Sequence, residues 1–166
     1  MIQIEYLPIV LTGIGIIVSI LYYASVLRNQ NKTRQAQLFM QIYEKWYDPT
    51  FSRNTAELRS WEWEDVEEFD RKYGPDVNPE GYSKFLSYIR FFQGVGVLLQ
   101  QGLIDVSLVG EMMPATVISA YQRYELILRD HRSRNQETRR LWEPVEYLYN
   151  EVLKYEEQQV KKENSI

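Results

Sequence analysis

Hydrophobic positions along the chain fall into two regimes. Residues 7–27, LPIVLTGIGIIVSILYYASVL, run for twenty-one positions without a charged side chain, and without Asn, Gln or His. Beyond them apolar positions recur at intervals of three and four, with polar residues between. As a helix the first stretch is about 32 Å long at ~1.5 Å per residue, which matches the hydrocarbon core of a bilayer. Pro8 falls in the first turn, where a missing N–H is harmless. Tyr6 sits at one edge and Tyr22 and Tyr23 near the other, where interfacial aromatics belong. The pattern predicts a retained transmembrane helix. A buried core helix would be shorter or one-sided, and a cleaved signal needs a basic start and a small-x-small cleavage site. Here the start carries Glu5 with no Lys or Arg, and Ala24-Ser25 makes a poor cleavage site.

The second regime reads as helix after helix. Residues 29–47 contain no Gly or Pro, and Phe39, Ile42, Tyr43 and Trp46 form one stripe at helical spacing. The first helix is therefore expected to continue to residue 47, roughly 60 Å in all, until Asp48-Pro49 stops it. A short helix is expected over 50–59. The segment Trp61-Glu62-Trp63-Glu64-Asp65-Val66-Glu67-Glu68-Phe69-Asp70 follows as helix up to Tyr73, where Gly74-Pro75 breaks it. Asn78 is an N-cap and Pro79 a first helical residue for a helix over 79–101, with Tyr82, Phe85, Leu86, Ile89, Phe92 and Val97 packing inward and Gly102 ending it. Asp105 or Ser107 caps a short helix through Met112. Pro114 opens another to about Arg132, with Val117, Tyr121, Tyr124 and Leu128 on one face. In the last helix Leu141, Val145, Leu148, Val152 and Tyr155 keep a four-three rhythm, with Pro144 in its first turn and a polar tail from Gln158 expected to fray. No segment alternates with period two. The fold class is all-α: one N-terminal transmembrane helix running into an irregular bundle of five or six helices.

Composition narrows the picture. With 166 residues there is room for one domain plus an appendage, and the part from Gln30 onward is long enough for a single core. A formal charge of -4 argues against general nucleic-acid binding. The absence of cysteine excludes disulfides, thiolate zinc sites and thiol nucleophiles, and fits a reducing compartment. Aromatic residues, 14% of the chain, point to a packed core and some adhesive surface.

Charge around the apolar stretch sets its direction. Arg28, Lys32 and Arg34 lie on its C-terminal side, so the rest of the chain is expected in the cytoplasm, with the short N-terminus outside. These three can also touch anionic head groups. Within the stretch, Thr12, Gly15 and Ser19 offer a small-residue face for helix pairing.

Candidate chemistry is sparse. Six carboxylates fall within 62–70, but they lack the central Gly and alternating ligands of a calcium loop, and a helix N-terminus explains them. Arg123, Arg129, Arg132, Arg134, Arg139 and Arg140 form a patch, diluted by Glu125, Asp130 and Glu137, that suits lipid head groups, a partner or the chain's own acidic run. His131 is the single histidine and has no identifiable nucleophile to serve. Gly94-Val95-Gly96 lies late inside a helix, where it favours close helix packing over a phosphate loop.

The stretches Trp46-Tyr47-Asp48-Pro49, SWEWEDVEEFDRKYG, NPEGYSKFLSYIRFFQGVGVLLQQGLIDVSLV and WEPVEYLYNEV resemble an uncharacterised prokaryotic family, a domain of unknown function whose members carry an N-terminal span followed by a helical domain. The resemblance covers nearly the whole chain. It implies the architecture read above and brings no activity, cofactor or catalytic residue. The expected organisation is a tail and span over 1–28, a cytoplasmic helical domain over 29–157 and a polar tail over 158–166. The expected function is that of an accessory, scaffold or assembly component in the cell membrane, without a cofactor. Its expected partners are the bilayer, other membrane proteins and a second copy of itself, not nucleic acid. Trp61, Trp63 and Phe69, together with Arg129, Arg132 and Arg134, are the candidate contact residues. A signalling relay across the bilayer is the first rival. An enzyme acting on lipid or nucleotide is the second.

Overall fold

Proline, aspartate and asparagine mark most of the helix boundaries. A computed structural model of the chain describes residues 7–134, 140 and 142–164. Among these there are seven helices and no strand: α1 (Leu7–Trp46), α2 (Pro49–Arg59), α3 (Val66–Tyr73), α4 (Pro79–Gln100), α5 (Val106–Met112), α6 (Pro114–Arg134) and α7 (Glu143–Glu163). The expected roles of Glu5, Tyr6, Glu137, Arg139 and Leu141 lie outside the described residues. The chain divides into two compact units, 1–37 and 38–166.

The first unit holds the part of α1 up to Gln37. Its apolar window has no buried residue, and Ile9 and Leu21 are 67% and 66% exposed. It is the one helix among the described residues long and apolar enough to cross a membrane. A core helix would show the opposite burial.

The second unit holds the last turns of α1 and the other six helices. The Asp48 carboxylate accepts the Thr50 and Phe51 amides at 2.9 Å each and caps α2 ahead of Pro49. Asn78 accepts the Gly81 amide at 2.9 Å and caps α4. Asp105, accepting the Ser107 amide at 2.8 Å, caps α5. Gly102, at φ +64°, ends α4 in a Schellman turn: its amide donates to the Leu99 carbonyl and the Leu103 amide to that of Leu98. The core gathers Phe69, Phe85, Ile89, Phe92, Tyr124, Ile127, Leu148 and Val152. α4 packs closest on α7, and Gly96 makes this possible, because a Cβ there would overlap the Pro144 carbonyl. Close helix packing is thus what the Gly94-Val95-Gly96 segment provides, through Gly96.

Several boundaries and faces differ from expectation. Residues 61–64 are not helical; α3 starts at Val66 because Asp65 acts as N-cap, accepting the Glu68 amide at 2.7 Å. The Glu68 carboxylate reaches back to the Glu64 amide at 2.7 Å, one residue earlier than in an ordinary capping box. Val97 does not pack inward but is 40% exposed. Counting on from Phe92 at 100° per residue brings Val95 and Gly96 to the core, both buried, and carries Val97 well away. On α1 the inward stripe is Leu38, Ile42 and Trp46, spaced i, i+4, i+8: Ile42 and Trp46 pack as expected, and Leu38 joins them in place of the expected Phe39 and Tyr43. α6 continues to Arg134, and α7 to Glu163, where Lys161 and Lys162 suit the negative end of the helix.

Candidate functional site

The aromatic-acidic segment turns inward. Trp61 is 5% exposed and Phe69 wholly buried. Trp61 stacks on Tyr73 at 4.1 Å between ring centroids, and Trp63 lies edge-on to Phe69 and stacks on Tyr124, each at 5.2 Å. The Arg123 guanidinium ties this loop to α6. It donates to the Trp61 carbonyl and lies 4.7 Å above the Trp63 ring. The expectation that Trp61 and Phe69 meet a partner is therefore corrected: both are core residues. Trp63, half-buried on the same cluster, is engaged by Tyr124 and Arg123. Aromatic rings next to carboxylates read alike whether they face a core or a surface, and only the long-range contact with α6 separates the two.

Arg123, Arg129, Arg132 and Arg134 are engaged within the fold. Arg129 pairs with Glu125 at 2.6 Å along α6, and Arg132 with Glu146 of α7 at 3.1 Å. Arg134 pairs with Asp130 at 2.6 Å and with Asp70 of α3 at 2.7 Å. The acidic run and the arginine patch thus meet through Arg134 and Asp70. His131, half-buried, has its pKa lowered from 6.5 by desolvation, against the opposing pull of Asp130 and Asp70. It lines a cleft of 360 Å³ with Asp70, Asp76, Tyr82 and Arg134. No group of three or more metal-ligating side chains occurs among the described residues.

In the first unit, Thr12 and Ser19 donate their hydroxyls to the Pro8 and Gly15 carbonyls of their own helix, each at 2.8 Å. A Cβ at Gly15 would meet nothing within 4 Å, so that face is bare. Arg28, Lys32 and Arg34 are exposed on α1.

An apolar opening of the second unit was not legible in advance. A groove of 630 Å³ lies between the last turns of α1 and the second half of α4. Leu38, Gln41, Ile42 and Lys45, spaced i, i+3, i+4, i+7, form one wall, and Arg90, Phe91, Gly94, Val97 and Leu98 line the other. Among the described residues two amides and two cations border it, and no carboxylate does. Neither Lys45 nor Arg90 forms an ion pair among the described residues. Its one trace in the sequence is a pair of basic residues, each set against an apolar stripe.

A family model described as a domain of unknown function, DUF4760, matches residues 9–152, in keeping with the uncharacterised family expected from the sequence. No curated protein and no solved structure matches the chain.

Proposed function

We propose that the chain, which belongs to the DUF4760 family, is a membrane-anchored helical accessory protein that works by binding a partner beside the bilayer. The observation that carries this reading is the apolar window of α1, none of it buried, in the same chain as a helical unit with its own closed core. Arg28, Lys32 and Arg34 on one side of the window support a cytoplasmic position for that unit. Tethering raises the unit's effective concentration near other membrane proteins without any new contact.

The partner surface is the groove between α1 and α4. Apolar walls, Lys45 and Arg90 at the border and no lining carboxylate suit an amphipathic helix with acidic flanks. Charge selects the occupant locally, because the groove is bordered by two cations although the chain as a whole is acidic.

Two measurements test the reading. Alkaline carbonate extraction should leave the full chain in the membrane pellet; release into the supernatant rejects the anchor. For the groove, the full chain in phosphatidylcholine nanodiscs is titrated with an amphipathic Leu-Glu peptide and with its Leu-Lys counterpart. The acidic peptide should bind about tenfold tighter, and Lys45→Glu with Arg90→Glu should reverse the order. Equal binding of both peptides rejects the groove.

A further inference from the structure

Between α2, α4 and α6 the second unit holds a hollow of 400 Å³, separate from the groove. Arg59 and Arg123 both line it, and among the described residues no carboxylate does. The nearest acids along the chain are taken up elsewhere: Glu57 pairs with Lys84 at 2.8 Å, and Glu125 with Arg129 at 2.6 Å. Arg59 forms no ion pair among the described residues. Arg123 is held in place by the Trp61 carbonyl and the Trp63 ring, so part of its guanidinium is pre-oriented while other N–H groups remain.

Two further features of the hollow also suit negative charge. α6 begins at Pro114, and its first outward backbone bond runs from the Val117 amide to the Met113 carbonyl. The amides of Ala115 and Thr116, which both line the hollow, have no acceptor among the described residues. Tyr88, only 5% exposed, lines the hollow from α4, and its hydroxyl makes no hydrogen bond among the described residues. By contrast, the neighbouring Tyr124 hydroxyl donates to the Leu58 carbonyl at 3.1 Å. The Tyr88 hydroxyl is not one of the fully buried, unsatisfied polar atoms, so it opens onto the hollow and can donate to a guest there. Burial pushes the Tyr88 pKa up to about 12, against the pull of Arg59 and Arg123, so the group stays protonated and can donate.

We infer that this hollow binds a phosphate-type oxyanion, held by the guanidinium groups of Arg59 and Arg123, the Tyr88 hydroxyl and the free amides of Ala115 and Thr116. Guanidinium and amide donors match the several lone pairs of a phosphoryl group. The volume leaves room for a small organic body beyond the phosphate, within the range of small-molecule sites. The phosphoryl group belongs either to a soluble phosphomonoester or to a lipid head group, and the test separates these sources.

The full chain in phosphatidylcholine nanodiscs is titrated calorimetrically with inorganic phosphate and with glycerol 3-phosphate. In parallel, phosphatidic acid retained after purification from mixed-lipid discs is quantified. Saturable uptake of a soluble probe identifies a soluble ligand; retention of phosphatidic acid alone identifies a head group. In either arm Arg59→Gln should lower binding about tenfold and Tyr88→Phe severalfold. Both substitutions spare Arg123, whose loss would also loosen the loop at 61–64. A loss in either variant supports the site. No response to any probe up to about 10 mM overturns it, as does wild-type binding in both variants.

Discussion

Gly96 and Phe69 test the packing most sharply at the scale of single residues. Gly96→Ala puts a methyl group into the Pro144 backbone carbonyl, with no flexible side chain to give way. It should destabilise the second unit by about 1–3 kcal/mol, read as a lower midpoint in a denaturant titration. Phe69→Ala empties a wholly buried site and should cost about 3–5 kcal/mol. A Phe69→Ala protein with native stability would mean that the ring meets a partner and not the core. His131 gives the fold a pH dependence whose sign is fixed. Its folded pKa lies below the unfolded 6.5, so the unfolded chain binds more protons just below that value. The contribution is complete above pH 6.5 and is lost as pH falls through the lower folded value. Asp48 and Asp105, with pKa values also depressed, act only in the more acidic carboxylate range. Melting temperature should therefore fall as pH drops below about 6.5 in the wild type and change less in His131→Gln.

At the scale of elements, stability rests on caps and on pairs of helices. Asn78→Ala removes the acceptor for the Gly81 amide and should cost about 1 kcal/mol, seen as earlier thermal unfolding. Helix positions were largely legible in the sequence for the same reason. Asp48-Pro49, Asn78-Pro79, Gly102, Asp105 and Pro114 are local signals whose chemistry acts within four residues. The start of α3 was missed because several acids compete for the cap, and Asp65 wins through the Glu68 amide. The sites were far less legible. Arg134 and Asp70 meet across 64 positions, and the groove joins α1 to α4 across about fifty. Such pairings depend on how helices pack, and no local rhythm encodes them. Val97 shows the same limit in small: its apolar character suggested a core, while the helical angle from Phe92 turned it towards the groove.

At the scale of the whole molecule, two units with opposite solvent preferences share one chain. The first presents apolar side chains outward, and the second encloses its own. This division supports the proposed anchor joined to an interaction domain, with the direction that the flanking charge predicts. The native chain has no cysteine, so single thiols report topology without background. The most direct measurement is labelling of intact cells with a membrane-impermeant maleimide, using Gln3→Cys and Asn164→Cys proteins. The expected result is modification of Gln3→Cys in intact cells and of Asn164→Cys only after lysis. Labelling of Asn164→Cys in intact cells, or recovery of either protein in the soluble fraction, contradicts the anchored cytoplasmic domain.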